Sequence, residues 1–417
     1  DRSVTGKIAR QQCQGEIQLP LSDCGVVALD YRGRRGIATS IGHAPQVALA
    51  DSAKGSVMAI AEALTNIVTA PIEGDIKGLS LSANWMWPCK NQGEDAALYR
   101  AVEACSDFAC ALGINIPTGK DSLSMTQKYG DEKVFAPGTV IISAAGEVTD
   151  VRKVVSPVLQ PGRSRLYYID FSGTPLALGG SALAQTLNRI GSQTPSVADP
   201  AQFVKTFNAV QRLVKRGSLM AAHDVSAGGL ITTLLEMTFA NTTGGINFTT
   251  DAFVAQGETD LVKILFAENP ALVIQVSDDK CESAERLLTD AGVRFLAIGE
   301  PDAERTVMIE HQGTVRMAGI DYLRDVWFRP SYLLDAVQSG EKCARMRFEN
   351  YKKQPLRFRI PASFDGSLAS RSLVAGQHKP SGIRAAIIRE KGVNGDREMA
   401  YSLYLAGFDV KDVHMTD

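Results

Sequence analysis

The first 150 residues alternate between the apolar spacing of strands and that of helices. Strand-like and helical patterns follow one another in the order 26–31 (strand), 56–68 (helix), 78–83 (strand), 94–113 (helix) and 139–148 (strand). A break containing Pro157 and Pro161 then predicts a domain boundary, because proline interrupts regular backbone pairing. We therefore predict a first domain over residues 1–155.

The same alternation continues to about residue 335 and predicts an α/β layer architecture for a second domain, 163–335. Its patterns are RLYYID, a helix on GGSALAQTLNRIG (179–191), a helix on 201–217, LMAAHDVSAGG with the helix after it, ALVIQVS, a helix on 281–292, and RFLAIGE. Residues 336–381 are mostly polar and turn-rich, which indicates a connector. Residues 382–417 predict the opening of a further β–α–β unit.

Composition narrows the possible partners and compartment. The 417 residues carry a net charge of −2, which does not favour a nucleic-acid or membrane-surface partner, and no run of about 18 apolar residues predicts a membrane span. Seven scattered cysteines match neither a disulfide framework nor a zinc site, so we expect a cytoplasmic protein. Because the sequence starts at Asp1 and ends within a strand pattern, we expect a piece of a larger polypeptide.

The segment HDVSAGGL (223–230) is the strongest chemical signal in the chain. It follows a short apolar run and precedes a helical pattern, so we predict a strand, a turn and a helix N-terminus. Unpaired N–H groups at such a terminus suit phosphate oxygens, and Asp224 offers the hard oxygen ligand that Mg²⁺ prefers. The alternative is an ordinary helix start, in which Asp224 or Ser226 caps the helix and Gly229 allows a tight turn.

Three further side chains offer oxygen atoms to a metal. Glu62 and Asn66 are four residues apart and share one face of the predicted helix 56–68, whereas Asp23 precedes the first strand. A solvated helix face is sufficient to explain Glu62 and Asn66, because the apolar residues of the helix lie on its opposite side, and a turn is sufficient to explain Asp23. Together with Asp224, however, they fill much of an octahedral Mg²⁺ shell.

The segment TGKDSLS (118–124) is not a P-loop, because its glycine spacing is wrong and Asp121 stands where serine or threonine is required. We interpret it as a glycine-led turn that either binds a polar substrate or forms a well-bonded surface turn. His43, in SIGHAP, is predicted to be a loop residue with a structural role.

In combination and order, AEALTN, LSLSANW, GKDSLS and HDVSAGGL resemble the second half of the synthetase region of large-form formylglycinamide ribonucleotide amidotransferases. The tail from Gly382 resembles the start of that family's class I glutaminase domain. The resemblance implies an α/β and α+β fold of the aminoimidazole ribonucleotide synthetase type. Residues 1–155 are then a second, N-terminally incomplete N-type domain, which forms a shared β-barrel with its counterpart, and 163–335 are a C-type domain.

The resemblance also implies roles for single residues. Asp23, Glu62, Asn66 and Asp224 match Mg²⁺ ligands at an auxiliary nucleotide site that holds ADP, and Ser226 matches a contact to that nucleotide. Gly119 and Ser122 match a loop that faces the reacting ATP and the substrate. Lys120 stands where relatives have a metal-binding asparagine, and His43 lies in a degenerate copy of the loop that carries the catalytic histidine. The glutaminase Cys, His and Glu are expected outside this chain.

The implied reaction joins ammonia, released from glutamine, to formylglycinamide ribonucleotide at the expense of ATP. Phosphorylation of the amide oxygen gives an iminophosphate, which ammonia displaces. The implied partners are the first half of the synthetase region and the rest of the glutaminase domain, and we expect no full activity from this chain alone. Two alternatives are a non-catalytic nucleotide-binding scaffold and a free-standing superfamily enzyme such as selenophosphate synthetase, whose Asp-rich N-terminal loops are absent here.

Overall fold

The computed structural model describes residues 6–353, 359, 361–363 and 381–417. The contacts within the chain divide it into two units, residues 1–356 and 357–417. Residues 354–358, 360 and 364–380 of the predicted connector lie outside the described residues. Within the described ranges, no helix is both long enough and apolar enough to cross a membrane.

The first part of unit 1 is built on a six-stranded sheet. In chain order its elements are β1 (Ile8–Arg10), β2 (Cys13–Gln14), β3 (Leu19–Pro20), β4 (Gly25–Ala28), β5 (Gly36–His43), α1 (Pro45–Ala50), α2 (Ser52–Ile67), β6 (Leu79–Met86), α3 (Glu94–Leu112), β7 (Asn115–Ser122), β8 (Thr126–Tyr129), β9 (Glu132–Phe135) and β10 (Thr139–Val148). The strand order is β1-β4-β5-β10-β6-β7, and every pair is antiparallel except β6 with β7.

Buried and more exposed residues alternate along the central strands of this sheet, so one of its two faces is buried. In β5, residues at even positions, from Gly36 to Gly42, are buried, whereas Ile37 and Ile41 are exposed on the other face. Helix α2 covers the buried face, and Asp51 caps its N-terminus by accepting the Lys54 N–H with its carboxylate. The outer face of the sheet therefore presents apolar side chains that none of the described residues of this unit covers.

The second part of unit 1 is built on a seven-stranded sheet. Its elements are β11 (Ser164–Asp170), α4 (Ala182–Thr186), α5 (Pro200–Arg216), β12 (Leu219–Val225), α6 (Gly229–Phe239), β13 (Gly245–Thr249), α7 (Asp251–Ala255), α8 (Leu261–Phe266), β14 (Ala271–Ser277), α9 (Asp278–Asp290), β15 (Arg294–Asp302), β16 (Thr306–His311), β17 (Thr314–Gly319), α10 (Ile320–Ser339) and α11 (Glu341–Asn350). The order is β12-β14-β11-β15-β13-β16-β17, with only β13 and β16 parallel. Strand β12 therefore lies at an edge of this sheet.

Two sequence-based expectations differ from the structure of this part. The helix predicted over residues 179–191 is reduced to α4, and Asn188, with a φ of 54°, has left the helical region. Residues 341–350, at the start of the predicted connector, form helix α11 instead. Ala344 is the only buried residue of that helix, so the apolar pattern that would indicate it is weak.

The two sheets share one hydrophobic core. Phe203 of α5 packs edge-on against Phe108 of α3, at 5.9 Å between ring centres, and against Phe171 at 5.1 Å. Gln211 of α5 is fully buried; its amide nitrogen donates to two carbonyl oxygens and its Oε1 accepts the Ile72 N–H. Polar and apolar contacts therefore hold the two halves of unit 1 together.

The described residues of unit 2 form the predicted β–α–β arrangement. Strand β18 (Arg384–Arg389) and strand β19 (Asp409–His414) pair in parallel, and helix α12 (Asp396–Leu405) connects them. A parallel pair requires a crossover connection, and the helix provides it.

Candidate functional site

HDVSAGGL forms the predicted strand, turn and helix start. Strand β12 ends at Val225, and α6 begins at Gly229 after Gly228, with φ values of 71° for Gly229 and 95° for Gly228. A side chain at either position would be strained in this left-handed conformation. The N-cap residue of α6 is Gly228, which has no side chain, so neither Asp224 nor Ser226 has the capping role of the alternative interpretation.

Two buried carboxylates meet beside this turn. Asp23, which precedes β4, and Asp224, at the end of β12, lie with His223 so that one ligand atom from each falls within 4.8 Å of the others. The side chains of Asp23 and Asp224 are only 2% and 4% exposed. The Oδ2 atom of each is buried without a hydrogen-bond partner. Such orphaned acceptors are satisfied when a proton, a water molecule or a cation binds them.

His223 connects this pair to a third carboxylate. Its Nδ1 lies 2.6 Å from Asp23 Oδ1, and its Nε2 lies 3.1 Å from Glu236 Oε2. Burial by itself lowers the pKa of His223, but the charges of Asp23 and Glu236 and the hydrogen bonds to them raise it well above the ordinary value. His223 therefore offers positive charge to the cluster rather than a free lone pair to a metal.

Burial raises the pKa of both aspartates. For Asp224 the increase is large, because burial is reinforced by the charges of Asp23, Glu62 and Glu236 and only partly opposed by His223. For Asp23, burial again has the largest effect and His223 opposes it. A divalent cation would reverse this cost by pairing with both charges. The hard oxygen donors and orphaned Oδ2 atoms therefore fit Mg²⁺.

Glu62 and Asn66 are turned towards the first sheet, rather than forming a solvated helix face. Glu62 Oε2 accepts the His43 N–H at 2.7 Å, and Asn66 Nδ2 donates to the Ile41 carbonyl at 3.0 Å. Burial raises the pKa of Glu62 to about 7; the bond from His43 opposes this shift, and the charge of Glu268 adds to it. Glu62 therefore lies close enough to influence Asp224, although it is not part of the tight cluster.

A cavity of about 90 Å³ lies between Glu62 and the turn after β12. Its lining includes His43, Ser226 and Glu268. Glu268 Oε1 accepts the N–H groups of Gly228 and Ala182, both at 2.7 Å. The expectation of an unpaired N–H at the start of α6 is therefore wrong for Gly228, because a carboxylate of the chain itself occupies the position predicted for an external anion.

The segment predicted as a glycine-led turn is largely a strand. Gly119 and Ser122 lie in β7, at the edge of the first sheet, where they pair with Ala83 and Met86. A Cβ atom on Gly119 would come within 2.1 Å of the Ala83 carbonyl oxygen, so close strand pairing explains this glycine. Lys120 Nζ donates to Ser122 Oγ.

Strand β7 is three strands away from β5 in the sheet. Because neighbouring strands are about 4.8 Å apart, this separation amounts to roughly 14 Å. Gly119 and Ser122 are therefore distant from the strand end that adjoins Glu62. His43, predicted in a loop, is instead the last residue of β5 and presents its N–H to Glu62.

Three residues of this centre were not predicted as site residues. His223 adjoins Asp224 in the sequence, and this adjacency was its only signal. Glu236 and Glu268 had none, because they are brought in by α6 and by the segment before β14, respectively.

The chain matches three families along its length. They are described as "FGAR-AT PurM_N-like domain" over residues 1–147, "AIR synthase related protein, C-terminal domain" over 169–311, and "CobB/CobQ-like glutamine amidotransferase domain" over 382–417. The third family corresponds to the β–α–β arrangement of unit 2.

Curated relatives match the whole chain. "Phosphoribosylformylglycinamidine synthase" of Homo sapiens is 38% identical over 424 aligned residues, covering 100% of this chain and 31% of the relative. "Probable phosphoribosylformylglycinamidine synthase" of Caenorhabditis elegans is 37% identical and is covered to 32%. The chain thus spans about a third of the length of these relatives.

Solved structures share the fold at low sequence identity. Thermotoga maritima PurL complexed with FGAR superposes with a TM-score of 0.59 at 15% identity, covering 73% of this chain and 48% of that one. The same protein complexed with ATP gives a TM-score of 0.56 at 14% identity, covering 72% and 46%. The curated relatives are matched along the whole of this chain, and its three family matches follow one another in sequence, so the chain is similar throughout to about a third of phosphoribosylformylglycinamidine synthase.

Proposed function

We propose that this chain is part of an ATP-dependent, glutamine-using ligase of purine biosynthesis that converts formylglycinamide ribonucleotide to formylglycinamidine ribonucleotide. Within that enzyme it contributes an auxiliary magnesium–nucleotide site and part of the substrate site. The observation that carries the proposal is the pair of buried, unpartnered Oδ2 atoms of Asp23 and Asp224 beside the glycine turn that starts α6. The whole-chain similarity to relatives of that name supports the choice of reaction.

Each predicted ligand has a role in this centre. Asp23 and Asp224, whose Oδ2 atoms have no hydrogen-bond partner, would hold Mg²⁺, and Glu62 and Asn66, both on α2, are the two further ligands that we propose. When bound, the metal neutralises phosphate charge. Ser226, on the turn and lining the cavity, is positioned to contact a phosphate.

The cavity limits how a nucleotide enters. Ligand pockets usually enclose about 300–1,000 Å³, whereas this cavity measures about 90 Å³. We therefore expect only the phosphate end of the nucleotide to reach Glu62 and Ser226, with the base and the ribose outside. Phosphate oxygens that approach the Gly228 N–H compete with Glu268 for it.

Gly119 and Ser122 are assigned to a second, separate centre. Their distance from β5 across the sheet agrees with a substrate site that is distinct from the auxiliary nucleotide site. The first half of the synthetase region is the proposed partner for the outer sheet face, where Val27, Ile37 and Ile41 are 42–56% exposed. Covering this face would complete the shared barrel. Seven free cysteines agree with a cytoplasmic location.

A thermal-shift titration with ADP and Mg²⁺ tests the nucleotide site. A ligand that binds only the folded state raises the melting temperature by mass action. We expect this rise in the wild-type chain and its loss in Asp224→Ala, whereas Asp279→Ala, at an exposed position of α9, keeps it. If the wild-type chain shows no shift, the auxiliary site is refuted.

A turnover assay separates a partial enzyme from a free-standing one. We expect no conversion of formylglycinamide ribonucleotide by the isolated chain with ATP and ammonia, because the first synthetase half is needed. Turnover would refute this dependence. The relatives do not favour a free-standing selenophosphate synthetase. If the chain is instead a non-catalytic scaffold, turnover by the missing regions should be the same with and without this chain.

A further inference from the structure

A chain of hydrogen bonds leads from the surface helix α10 to the buried aspartate pair. Trp327 Nε1 donates to Glu236 Oε1 at 2.8 Å, and Glu236 Oε2 lies 3.1 Å from His223 Nε2. On its other side, His223 Nδ1 lies 2.6 Å from Asp23 Oδ1. The four side chains come from α10, α6, β12 and the segment before β4, so no single element holds the arrangement.

The contacts divide the two oxygens of Asp23 between two tasks. Oδ1 is held by His223, whereas Oδ2 is buried and has no partner. Similarly, each oxygen of Glu236 has its own donor, one from Trp327 and one from His223. The rotation of the Asp23 carboxylate, and with it the direction of Oδ2, is therefore set through His223. His223 is held in turn by Glu236, and Glu236 by Trp327, and neither of these two residues belongs to the three-residue cluster.

Aromatic packing holds Trp327, the last residue in this series of hydrogen bonds, in place. The Trp327 ring lies 5.6 Å from the ring of Phe239 and 6.2 Å from that of Phe328. The neighbouring Arg324 donates to the Phe239 carbonyl at the end of α6. Helix α10 is thus tied to α6 beside the position where it supplies its indole N–H to Glu236.

We propose that Glu236 and Trp327 are positioning residues for the metal site, acting through His223 on Asp23. The inference rests on the proposed magnesium–nucleotide function. Partners of metal ligands orient those ligands, and their loss typically lowers metal affinity about 10- to 100-fold. Neither residue is among the ligands that the family resemblance implies.

Glu236→Gln is the sharpest variant. The glutamine side chain has one acceptor oxygen, so it can no longer accept from both Trp327 and His223 while keeping its shape. Trp327→Phe removes only the indole N–H and keeps an aromatic ring against Phe239. Glu285→Gln is the matched control, because Glu285 also accepts from an aromatic side chain, the Tyr167 hydroxyl at 2.6 Å, but outside the site.

The measurement is Mn²⁺ binding to the full chain in the presence of ADP, followed by electron paramagnetic resonance, together with the melting temperature in EDTA. We expect roughly a 10- to 100-fold weaker Mn²⁺ affinity for Glu236→Gln, a smaller loss for Trp327→Phe and wild-type affinity for Glu285→Gln. We expect Glu236→Gln to melt at the wild-type temperature in EDTA. A purely structural role of Glu236 would instead lower that melting temperature.

The outcomes separate the two claims. If the wild type binds Mn²⁺ and Glu236→Gln binds it equally well, the positioning role is overturned and the nucleotide site stands. A loss of affinity accompanied by a lower melting temperature in EDTA also overturns it, in favour of a structural role. If the wild type binds no Mn²⁺, the proposed function and the positioning role both fail.

Discussion

Replacing Glu62 by glutamine should stabilise the metal-free protein and at the same time weaken nucleotide binding. Glu62 lies against β5, where its Oε2 accepts the His43 N–H at 2.7 Å. Glutamine keeps an acceptor for that N–H but carries no charge. The substitution therefore removes the burial cost of the carboxylate while leaving its hydrogen bond in place.

The magnitude follows from the pKa of Glu62. Burial raises this pKa from 4.5 to about 7. Between these values the folded state binds more protons than the unfolded state, so wild-type stability falls as the pH rises through this window. A difference of about 2.5 pH units corresponds to on the order of 3 kcal/mol. The advantage of Glu62→Gln should be about 3 kcal/mol at pH 8 and only about 1.4 kcal/mol at pH 5.5.

Thermal unfolding in EDTA at the two pH values measures this difference. In a large domain, 1 kcal/mol shifts the melting temperature by roughly 2 °C, so Glu62→Gln should melt about 6 °C above the wild type at pH 8. Glu132→Gln, at an exposed position of β9, should change neither value. With Mg²⁺ and ADP, Glu62→Gln should show a smaller ligand-induced rise than the wild type. A variant that is no more stable than the wild type at pH 8 would refute the account of a buried, charged Glu62.

Three further predictions concern the turn, the junction of the sheets and the metal. Gly229→Ala should destabilise the protein by more than Gly217→Ala in urea unfolding. Both positions have a positive φ, which costs an alanine about 1–2 kcal/mol. Only at Gly229 would the added Cβ also approach backbone atoms, at 2.7 Å. Gln211→Leu should cost at least about 3 kcal/mol in the same assay, because it orphans three buried backbone groups of residues 68–72; an unchanged midpoint would contradict this. Chelation by EDTA should abolish the ADP-induced rise in melting temperature, and a rise that persists would show metal-independent binding.

Apolar periodicity was sufficient for the elements that bury a continuous face. Helices α2 and α3 and strand β10 lie close to the ranges predicted from their patterns. It was insufficient where backbone pairing determines the structure. Strand β7 is polar and mostly exposed, so only its hydrogen bonds to β6 make it a strand.

The centre itself was predictable in part. The sequence predicts Asp23 and Asp224 as metal ligands, and the structure brings them together although they are 201 positions apart. His223 is two hundred positions from Asp23, and such a pairing leaves no local pattern. Glu268 could not be predicted either. Its carboxylate accepts the Gly228 N–H at the start of α6, and no sequence pattern distinguishes it from other acidic residues.

The two aspartates of the pair come from different sheets. Asp23 leads into β4 of the first sheet, whereas Asp224 ends β12 of the second. A cation held between them is a non-covalent cross-link, so its binding energy and the free energy that keeps the two layers together are thermodynamically linked. A partner whose binding separates the two sheets must therefore lower the affinity for the metal. By linkage, bound metal lowers the affinity for that partner by the same factor. In the enzyme that we propose, the metal affinity of this centre would therefore respond to strain between the two sheets.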